Sequence, residues 1–195
     1  HALDCVDFRP GTGTTSLFTR TTSARVGLSD GTRVTTPLVI AADGRDSPMR
    51  EAAGISVQTR RYGQKALAFA VTHPVPHENV STEIHLSGGP FTLVPLPDRD
   101  ESPSSAVVWM DDGAATQRRM TDTIESFNKE ISERSCHLFG PLTLASPRSI
   151  WPIITQHAER LTGERLALIA EAAHVMPPIG AQGLNTSLND IAALL

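Results

Sequence analysis

Two continuous apolar runs, each ending in a turn that carries an acidic residue, restrict what this chain can fold into. The first is Pro37-Leu38-Val39-Ile40-Ala41-Ala42, closed by Asp43-Gly44. The second is Leu166-Ala167-Leu168-Ile169-Ala170, followed by Glu171-Ala172-Ala173-His174. A half-exposed strand alternates polar and apolar residues, whereas a strand covered on both faces reads as an unbroken apolar run. Both segments therefore predict buried strands of a parallel sheet. After the first, Ser47 can cap a short helix, Pro48 fits its first position, and Met49 to Ala53 continue it until Gly54. After the second, a rigid Pro177-Pro178 pair leads through a glycine-rich turn into a closing helix from about Leu184.

The surrounding texture divides the chain. Ala24-Arg25-Val26-Gly27-Leu28 alternates, Ser29-Asp30-Gly31-Thr32 supplies a tight turn, and Arg33-Val34-Thr35 returns as a hairpin. From about residue 61 short strand-like segments follow at 66–72, 81–86, 91–95 and 106–110. Loop tips at 74–79 and 98–104 separate them, and an antiparallel sheet is the expectation. An amphipathic helix over 121–139 carries Ile124, Phe127, Ile131 and Leu138 at mostly helical spacing. A further strand is expected over 148–154. The predicted organisation is α/β (mixed α+β). Residues 1–60 form part of one domain, 61–150 form an antiparallel-sheet domain with one helix, and 151–195 return to the first.

Composition removes several function classes. Net charge is −4 and no Lys/Arg-rich run occurs, so a dedicated nucleic-acid binder is excluded. No apolar run approaches the roughly 18 residues that span a bilayer, and Asp4, Asp7 and Arg9 interrupt any signal-peptide pattern. Cys5 and Cys136 match no metal or redox spacing and read as reduced thiols of a cytoplasmic protein. The chain starts without Met and stops inside the apolar pattern Ile191-Ala192-Ala193-Leu194-Leu195, so both ends read as cut and the chain as a fragment. No metal site is expected. His73 and His77 are four apart, but Pro74 and Pro76 forbid the helix that would align them. Glu171 and His174 have a Glu-x-x-His spacing in one copy only, after a strand. Asp111 and Asp112 read as a solvated turn, and His85, Trp109 and Trp151 as core residues rather than a substrate wall. Neither a Gly-x-Ser-x-Gly elbow nor a P-loop is present.

The second loop has a physical use. A helix start offers unpaired backbone N–H groups and a partial positive charge to an anion lying against it. Small residues at Gly180, Ala181 and Gly183 let a flat ligand approach the backbone. Glu171 at the strand end can accept hydrogen bonds from sugar-like hydroxyls. A reduced flavin needs both a positive cradle for its ring and a carboxylate for its ribityl chain. The alternative is a tight loop without a ligand, and the first loop on its own reads equally as a turn before a capped helix.

These two loops resemble the second and third fingerprints of the flavoprotein aromatic hydroxylases related to para-hydroxybenzoate hydroxylase. The middle motif, roughly Ala-Asp-Gly-x-x-Ser-x-x-Arg, is matched by Ala42, Asp43, Gly44, Ser47 and Arg50. The later motif, roughly Gly-Asp-Ala-Ala-His then Pro-x-x-Gly/Ala-Gln-Gly-x-Asn, is matched by Ala172, Ala173, His174, Pro178, Ala181, Gln182, Gly183 and Asn185. Tyr62-Gly63-Gln64-Lys65-Ala66, Gly89-Pro90-Phe91 and Leu93-Val94-Pro95-Leu96-Pro97 resemble the ubiquinone-biosynthesis branch, the polyprenyl-phenol hydroxylases. The chain departs from the pattern in three places. The Gly-x-Gly-x-x-Gly fingerprint is absent, since Gly11-Thr12-Gly13-Thr14-Thr15-Ser16 has Ser in the sixth position and no buried strand before it. The family's fingerprint lies upstream of the present start. Ala170-Glu171 stands where Gly-Asp is expected, and the closing helix is cut.

The resemblance implies a FAD/NAD(P)-binding Rossmann-like domain with an antiparallel-sheet substrate domain, and FAD and NAD(P)H as cofactors. Asp43 and Gly44 would lie near the flavin diphosphate and the nicotinamide path. Ser47 and Arg50 belong to the same motif, though Ser47 reads also as an N-cap and Arg50 as a solvated face. Glu171 would stand for the ribityl-binding Asp. Pro178, Ile179 and Gly180 would line the pocket beside the reactive flavin carbon, as the catalytic positions. Gln182, Gly183, Leu184 and Asn185, with Ala181, would face the isoalloxazine edge. The implied activity is hydroxylation of a phenolic ring with NAD(P)H and O2 through a flavin C4a-hydroperoxide, on a polyprenyl phenol of ubiquinone biosynthesis. A hydroxylase or halogenase of a soluble aromatic is the alternative, and a non-catalytic remnant or assembly module is the alternative of another class. A prenylated substrate implies peripheral attachment to the inner membrane or a biosynthetic complex. The fragment alone is expected to be inactive and to bind FAD poorly.

Overall fold

The computed structural model describes residues 3–180 and 182–195, and the chain divides into two compact units, 1–60 with 154–195 and 61–153. In the first unit β1 (Thr14–Arg20), β2 (Ser23–Leu28) and β3 (Arg33–Thr36) form an antiparallel meander, then β4 (Val39–Ala41) and helix α1 (Pro48–Ala52) follow. Strand β5 (Val57–Thr72) runs from the first unit into the second. There β6 (Thr82–Leu86), β7 (Gly89–Arg99), β8 (Ser102–Asp112), α2 (Gly113–Arg119), α3 (Ile124–Arg134) and β9 (Thr143–Leu144) succeed one another. Strand β10 (Ser149–Ala158) leads back to β11 (Thr162–Gly163), β12 (Leu166–Leu168), a 3-10 turn at Ala170–Ala172, β13 (His174–Val175) and α4 (Gln182–Leu194).

In the first unit the parallel pair predicted from the two apolar runs is present. Leu166 lies opposite Val39 and Leu168 opposite Ala41, with β11 on the far side of β12. Val26 of the meander, Ala41, Met49 of α1, Ile55, Leu166, Leu168 and Ala173 form this unit's core. The run at Leu38 to Ala42 is not covered on both faces, which corrects the sequence expectation. Strand alternation turns Ala41 inward and leaves Ile40 about half exposed, as is Leu38. The second run also ends sooner: β12 stops at Leu168, and Ala170, at a φ of 53°, breaks the extended backbone after Ile169.

The second unit is an antiparallel sheet in the order β6-β7-β8-β5, with β9 paired to β5. Its strands are longer than the hydrophobic pattern indicated. Asp100 and Glu101 both lie at positive φ, 49° and 62°, so the β7–β8 link shrinks to a two-residue turn and most of 98–104 becomes strand. Gly89 (φ 145°) is required where β7 begins, since a Cβ there would stand 2.6 Å from the Met110 carbonyl oxygen. The expected helix over 121–139 is shorter. Thr123 caps α3 by accepting the Ser126 N–H, and Cys136 and His137 at positive φ follow its end. Helix α2 was not legible, because its seven residues lack an apolar stripe; Asp112 caps it by accepting the Ala114 and Ala115 N–H groups.

Leu67, Phe69, Phe91, Leu93, Val107, Trp109, Phe127, Ile131 and Leu142 make the core of this unit, with Phe127 edge-on to Phe69 at 5.0 Å. Trp109 is buried as expected, but Trp151 and His85 are exposed. Both lie on strand positions that no helix covers among the described residues. Asp111 is no solvated turn either. It lies within β8, paired opposite Lys65, and its carboxylate meets the buried Arg119 at 2.8 Å, whose guanidinium lies 3.6 Å from the Trp109 ring centroid and also reaches Glu130 at 2.9 Å. His73 is buried between the Val75 carbonyl oxygen (2.8 Å) and the Ser105 hydroxyl (2.9 Å), stacked on Phe139. A carbonyl only accepts, so Nδ1–H donates to Val75 and Nε2 accepts from Ser105. Both ring nitrogens are thereby engaged, and among the described residues no cluster has metal-ligand geometry.

Two outcomes follow from this packing. Phe127→Ala removes a fully buried ring and should cost about 3–5 kcal/mol in chemical denaturation. Burial pushes the His73 pKa down, with the neighbouring His77 adding to it. The neutral ring belongs to the folded state, and the unfolded chain takes up the proton first. Stability should be complete above about pH 6.5 and fall as pH drops below it. Denaturation midpoints across that range should decline for the parent and decline less for His73→Gln.

Candidate flavin site

Both strand-ending loops lie in the first unit, and one side chain joins them. Arg50, 7% exposed, donates from Nη1 to the Ala172 carbonyl oxygen (2.9 Å) and from Nη2 to that of Arg45 (2.7 Å). Its position follows from local sequence. The positive φ of Gly44 turns the chain after Asp43, and the Ser47 N–H closes onto the Gly44 carbonyl at 3.1 Å. The Asp43 carboxylate then accepts the Ser47 hydroxyl (2.5 Å) and the Met49 N–H (3.1 Å), while the Ser47 oxygen accepts the Arg50 N–H (3.0 Å). With the N-terminal turn of the short helix fixed, Met49 enters the core and Arg50 is delivered to the second loop. The reading of Arg50 as a solvated face is therefore corrected, and Ser47 is an N-cap. Gln156 supports the same loop, donating to the Arg45 carbonyl oxygen at 2.8 Å.

The second loop leaves β12 through a strained turn. Ala170 sits at φ 53°, a left-handed conformation that costs a residue with a Cβ about 1–2 kcal/mol. Its N–H donates to Asp190 Oδ2 of α4 at 2.8 Å, and the same oxygen accepts from His174 Nε2 at 2.7 Å. The Ala170 carbonyl accepts the Ala173 N–H (2.9 Å), and the Ala173 carbonyl accepts the Ala158 N–H (2.8 Å). With the Arg50 bond to Ala172, the backbone on each side of Glu171 is tied down.

Glu171 itself projects outward, its side chain 56% exposed, with Arg45 Nη2 at 3.7 Å. No hydrogen bond engages its carboxylate among the described residues. Glu171, His174, Met176, Gly183, Leu184 and Ser187 line a cavity of about 280 Å³. The first turn of α4 holds no acidic residue, and a Cβ at Gly183 would meet nothing within 4 Å. A carboxylate free to accept, beside a helix start free of negative charge and a glycine facing open space, fits a polyhydroxylated, partly anionic ligand. The donor set thus suits the ribityl and ring edge of a flavin.

Of the residues singled out in the sequence, the fold brings Asp43, Gly44, Arg50 and Glu171 together, although the Asp43 carboxylate is engaged by α1. Pro178, Ile179 and Gly180 lie exposed on the loop before α4, with Gly180 at φ 62°. Gln182, Gly183, Leu184 and Asn185 form the exposed first turn of α4, and Ala181 falls outside the described residues. Sequence reasoning missed Arg45, Gln156 and Asp190. Gln156 and Arg45 are 111 residues apart and Asp190 and His174 are 16 apart, so no local spacing could signal either pair.

Arg50→Lys keeps a charge but lacks the planar fork that serves two carbonyls. It should lower stability by about 2–3 kcal/mol in chemical denaturation, and Arg50→Ala should lower it further.

A model of the FAD binding domain family matches residues 8–195. Ubiquinone hydroxylase UbiL of Rhodospirillum rubrum is 36% identical over 167 residues, covering 86% of this chain and 38% of its own length. The 3-demethoxyubiquinol 3-hydroxylase of Escherichia coli is 28% identical over 168 residues, covering 86% of this chain and 42% of its own length. The chain thus spans about two fifths of the length of these curated relatives. Among solved structures, CmlS, a flavin-dependent halogenase, superposes with a TM-score of 0.77 at 14% identity, over 94% of this chain and 34% of that one. At that identity the likeness speaks to fold alone, the mixed α/β fold of the para-hydroxybenzoate hydroxylase-like flavoproteins. With its two fingerprint loops cross-linked by Arg50 and its sequence matched from residue 8 onward, this chain belongs to the FAD binding domain family.

Proposed function

We propose that the full-length protein containing this chain is a FAD-dependent monooxygenase that hydroxylates a phenolic ring with NAD(P)H and O2, on a prenylated phenol of ubiquinone biosynthesis. The observation that carries this reading is the cavity lined by Glu171, His174 and the first turn of α4, beside the Arg50 bridge that joins the two fingerprint loops. The names of the Rhodospirillum rubrum and Escherichia coli relatives support the ubiquinone branch.

Bound FAD supplies the redox chemistry, accepting hydride from NAD(P)H and activating O2. The chain's own residues bind and orient. Glu171, whose exposed carboxylate has only the Arg45 guanidinium at 3.7 Å beside it among the described residues, would accept ribityl hydroxyls. The N–H groups of Gln182, Gly183 and Leu184 stabilise negative charge at the ring edge, and Gly183 admits close approach. Pro178, Ile179 and Gly180 give the reacting centre a rigid wall with few polar groups, which limits water there. Gly44 and the Asp43 loop stand on the diphosphate side, held by Arg50. A prenylated substrate partitions into a bilayer. The prenylated substrate is the ground for reading peripheral attachment to the inner membrane; no helix among the described residues is long and apolar enough to cross a membrane.

The test is NADPH and NADH oxidation by the full-length protein, purified and assayed for flavin, with and without a prenylated phenol. Bound FAD, phenol-stimulated oxidation and a product heavier by one oxygen atom are expected. A colourless protein that FAD does not reconstitute overturns the reading. Glu171→Ala should weaken FAD binding about tenfold or more by fluorescence titration, with little change in the unfolding midpoint, because the side chain is exposed.

A further inference from the structure

We infer that Asp190, five residues beyond the last matched motif position, Asn185, is a positioning residue for the flavin site. Its single oxygen Oδ2 holds Ala170 in the left-handed conformation that aims Glu171 into the cavity. The inference rests on the FAD reading above and deepens it.

The ties around Glu171 come from two sources. Ile169 donates to the Ala41 carbonyl, Arg50 donates to the Ala172 carbonyl, and Ala158 donates to that of Ala173, all from the strands and helix that build the unit's core. Beside the local Ala173 N–H bond to the Ala170 carbonyl and the Arg45 pair with Glu171, the tie at the Ala170 N–H comes from α4 through Asp190. It acts on the one residue of the turn whose backbone is unfavourable for a side chain. Release of that bond lets Ala170 relax toward negative φ. A change at this pivot swings the next residue, Glu171, away from its present direction.

The same carboxylate sets α4. None of the helix's described side chains is buried, so little apolar packing holds it to the unit. Asp190 anchors it on Ala170 and on His174, and a weak Thr186 hydroxyl contact to the Met176 sulfur (3.9 Å) adds to this. A carboxylate accepts only, so the His174 Nε2 carries the proton in this pair. One oxygen therefore links the acidic side of the cavity, Glu171, to the side that offers helix N–H groups, the first turn of α4. The two contacts a flavin needs stay in register only while that oxygen is in place.

The test is a double-mutant cycle on the full-length protein, read as FAD affinity by fluorescence titration and as the unfolding midpoint of the flavin-free protein. Asp190→Ala should weaken FAD binding about tenfold. Ala170→Gly should change it little in the parent, because the turn is already held. In the Asp190→Ala background, Ala170→Gly should recover several-fold in affinity, since glycine takes a positive φ without the carboxylate. A residue that merely stabilised the fold would shift the midpoint and show no such selective recovery. An Asp190→Ala protein that binds FAD as the parent does, or that Ala170→Gly fails to recover, overturns the inference. A parent that binds no FAD fails the functional reading itself, and a parent that binds normally beside an unaffected Asp190→Ala fails this inference alone.

Discussion

The first unit depends on the guanidinium of Arg50. Two loops that end separate strands of a parallel pair are otherwise linked, among the described residues, by the short β4–β12 ladder and the exposed Arg45–Glu171 ion pair. Arg50 supplies a planar, doubly bonded link between their carbonyls, and its burial excludes competing water. A charge buried in this way is tolerated because both carbonyl dipoles point at it and the Asp43–Ser47–Met49 network fixes the helix that carries it. Remove the fork and two carbonyls lose their partner inside the protein. The cost of that loss is what couples one fingerprint to the other.

The flavin loop shows a second use of the same economy. Its backbone bends where a side chain makes bending unfavourable, and polar groups contributed from distant segments hold the bend. The acidic side chain that results is exposed and only loosely paired with Arg45, which is a poor arrangement for stability and a good one for binding. A carboxylate already satisfied inside the protein, as Asp43 is, has little left to offer a ligand. The two acidic residues at the two strand ends thus have different tasks: Asp43 builds the scaffold and Glu171 faces outward.

In the second unit the dominant feature is an antiparallel sheet with α3 laid against its apolar face. Charge is handled there by stacking as much as by pairing. Arg119 lies flat on Trp109 while Asp111 and Glu130 complete its bonds, so a buried cation rests on an aromatic face and two carboxylates. His73 does the reverse: burial favours its neutral form, and both ring nitrogens keep hydrogen-bond partners.

Much of this was legible in the residues. The apolar runs named the parallel pair, Asp30-Gly31 named the hairpin, Ser47-Pro48 named the start of α1, and the alternating segments after residue 61 named the antiparallel sheet. These signals are local: a turn, a cap or a strand face is chosen within a few residues by φ preferences and side-chain alternation. Local signals also misled. Ile40, Trp151 and His85 look like core by type, yet burial depends on what other segments cover, and that is not written near them. The 98–104 loop became a two-residue turn because its neighbours' pairing, not its composition, fixed the length. The motifs identified Glu171 and Arg50 as site residues, but not that Arg50 would be the buried bridge or that Asp43 would be consumed by its own helix. Arg45, Gln156 and Asp190 acquire meaning only when chain segments far apart in sequence meet. The sequence by itself determined which turns, strands and fingerprint loops exist, because those follow from short-range sterics and hydrogen bonding. The tertiary structure alone decided which polar groups are satisfied and which stay free for a ligand, because that depends on partners delivered from distant parts of the chain.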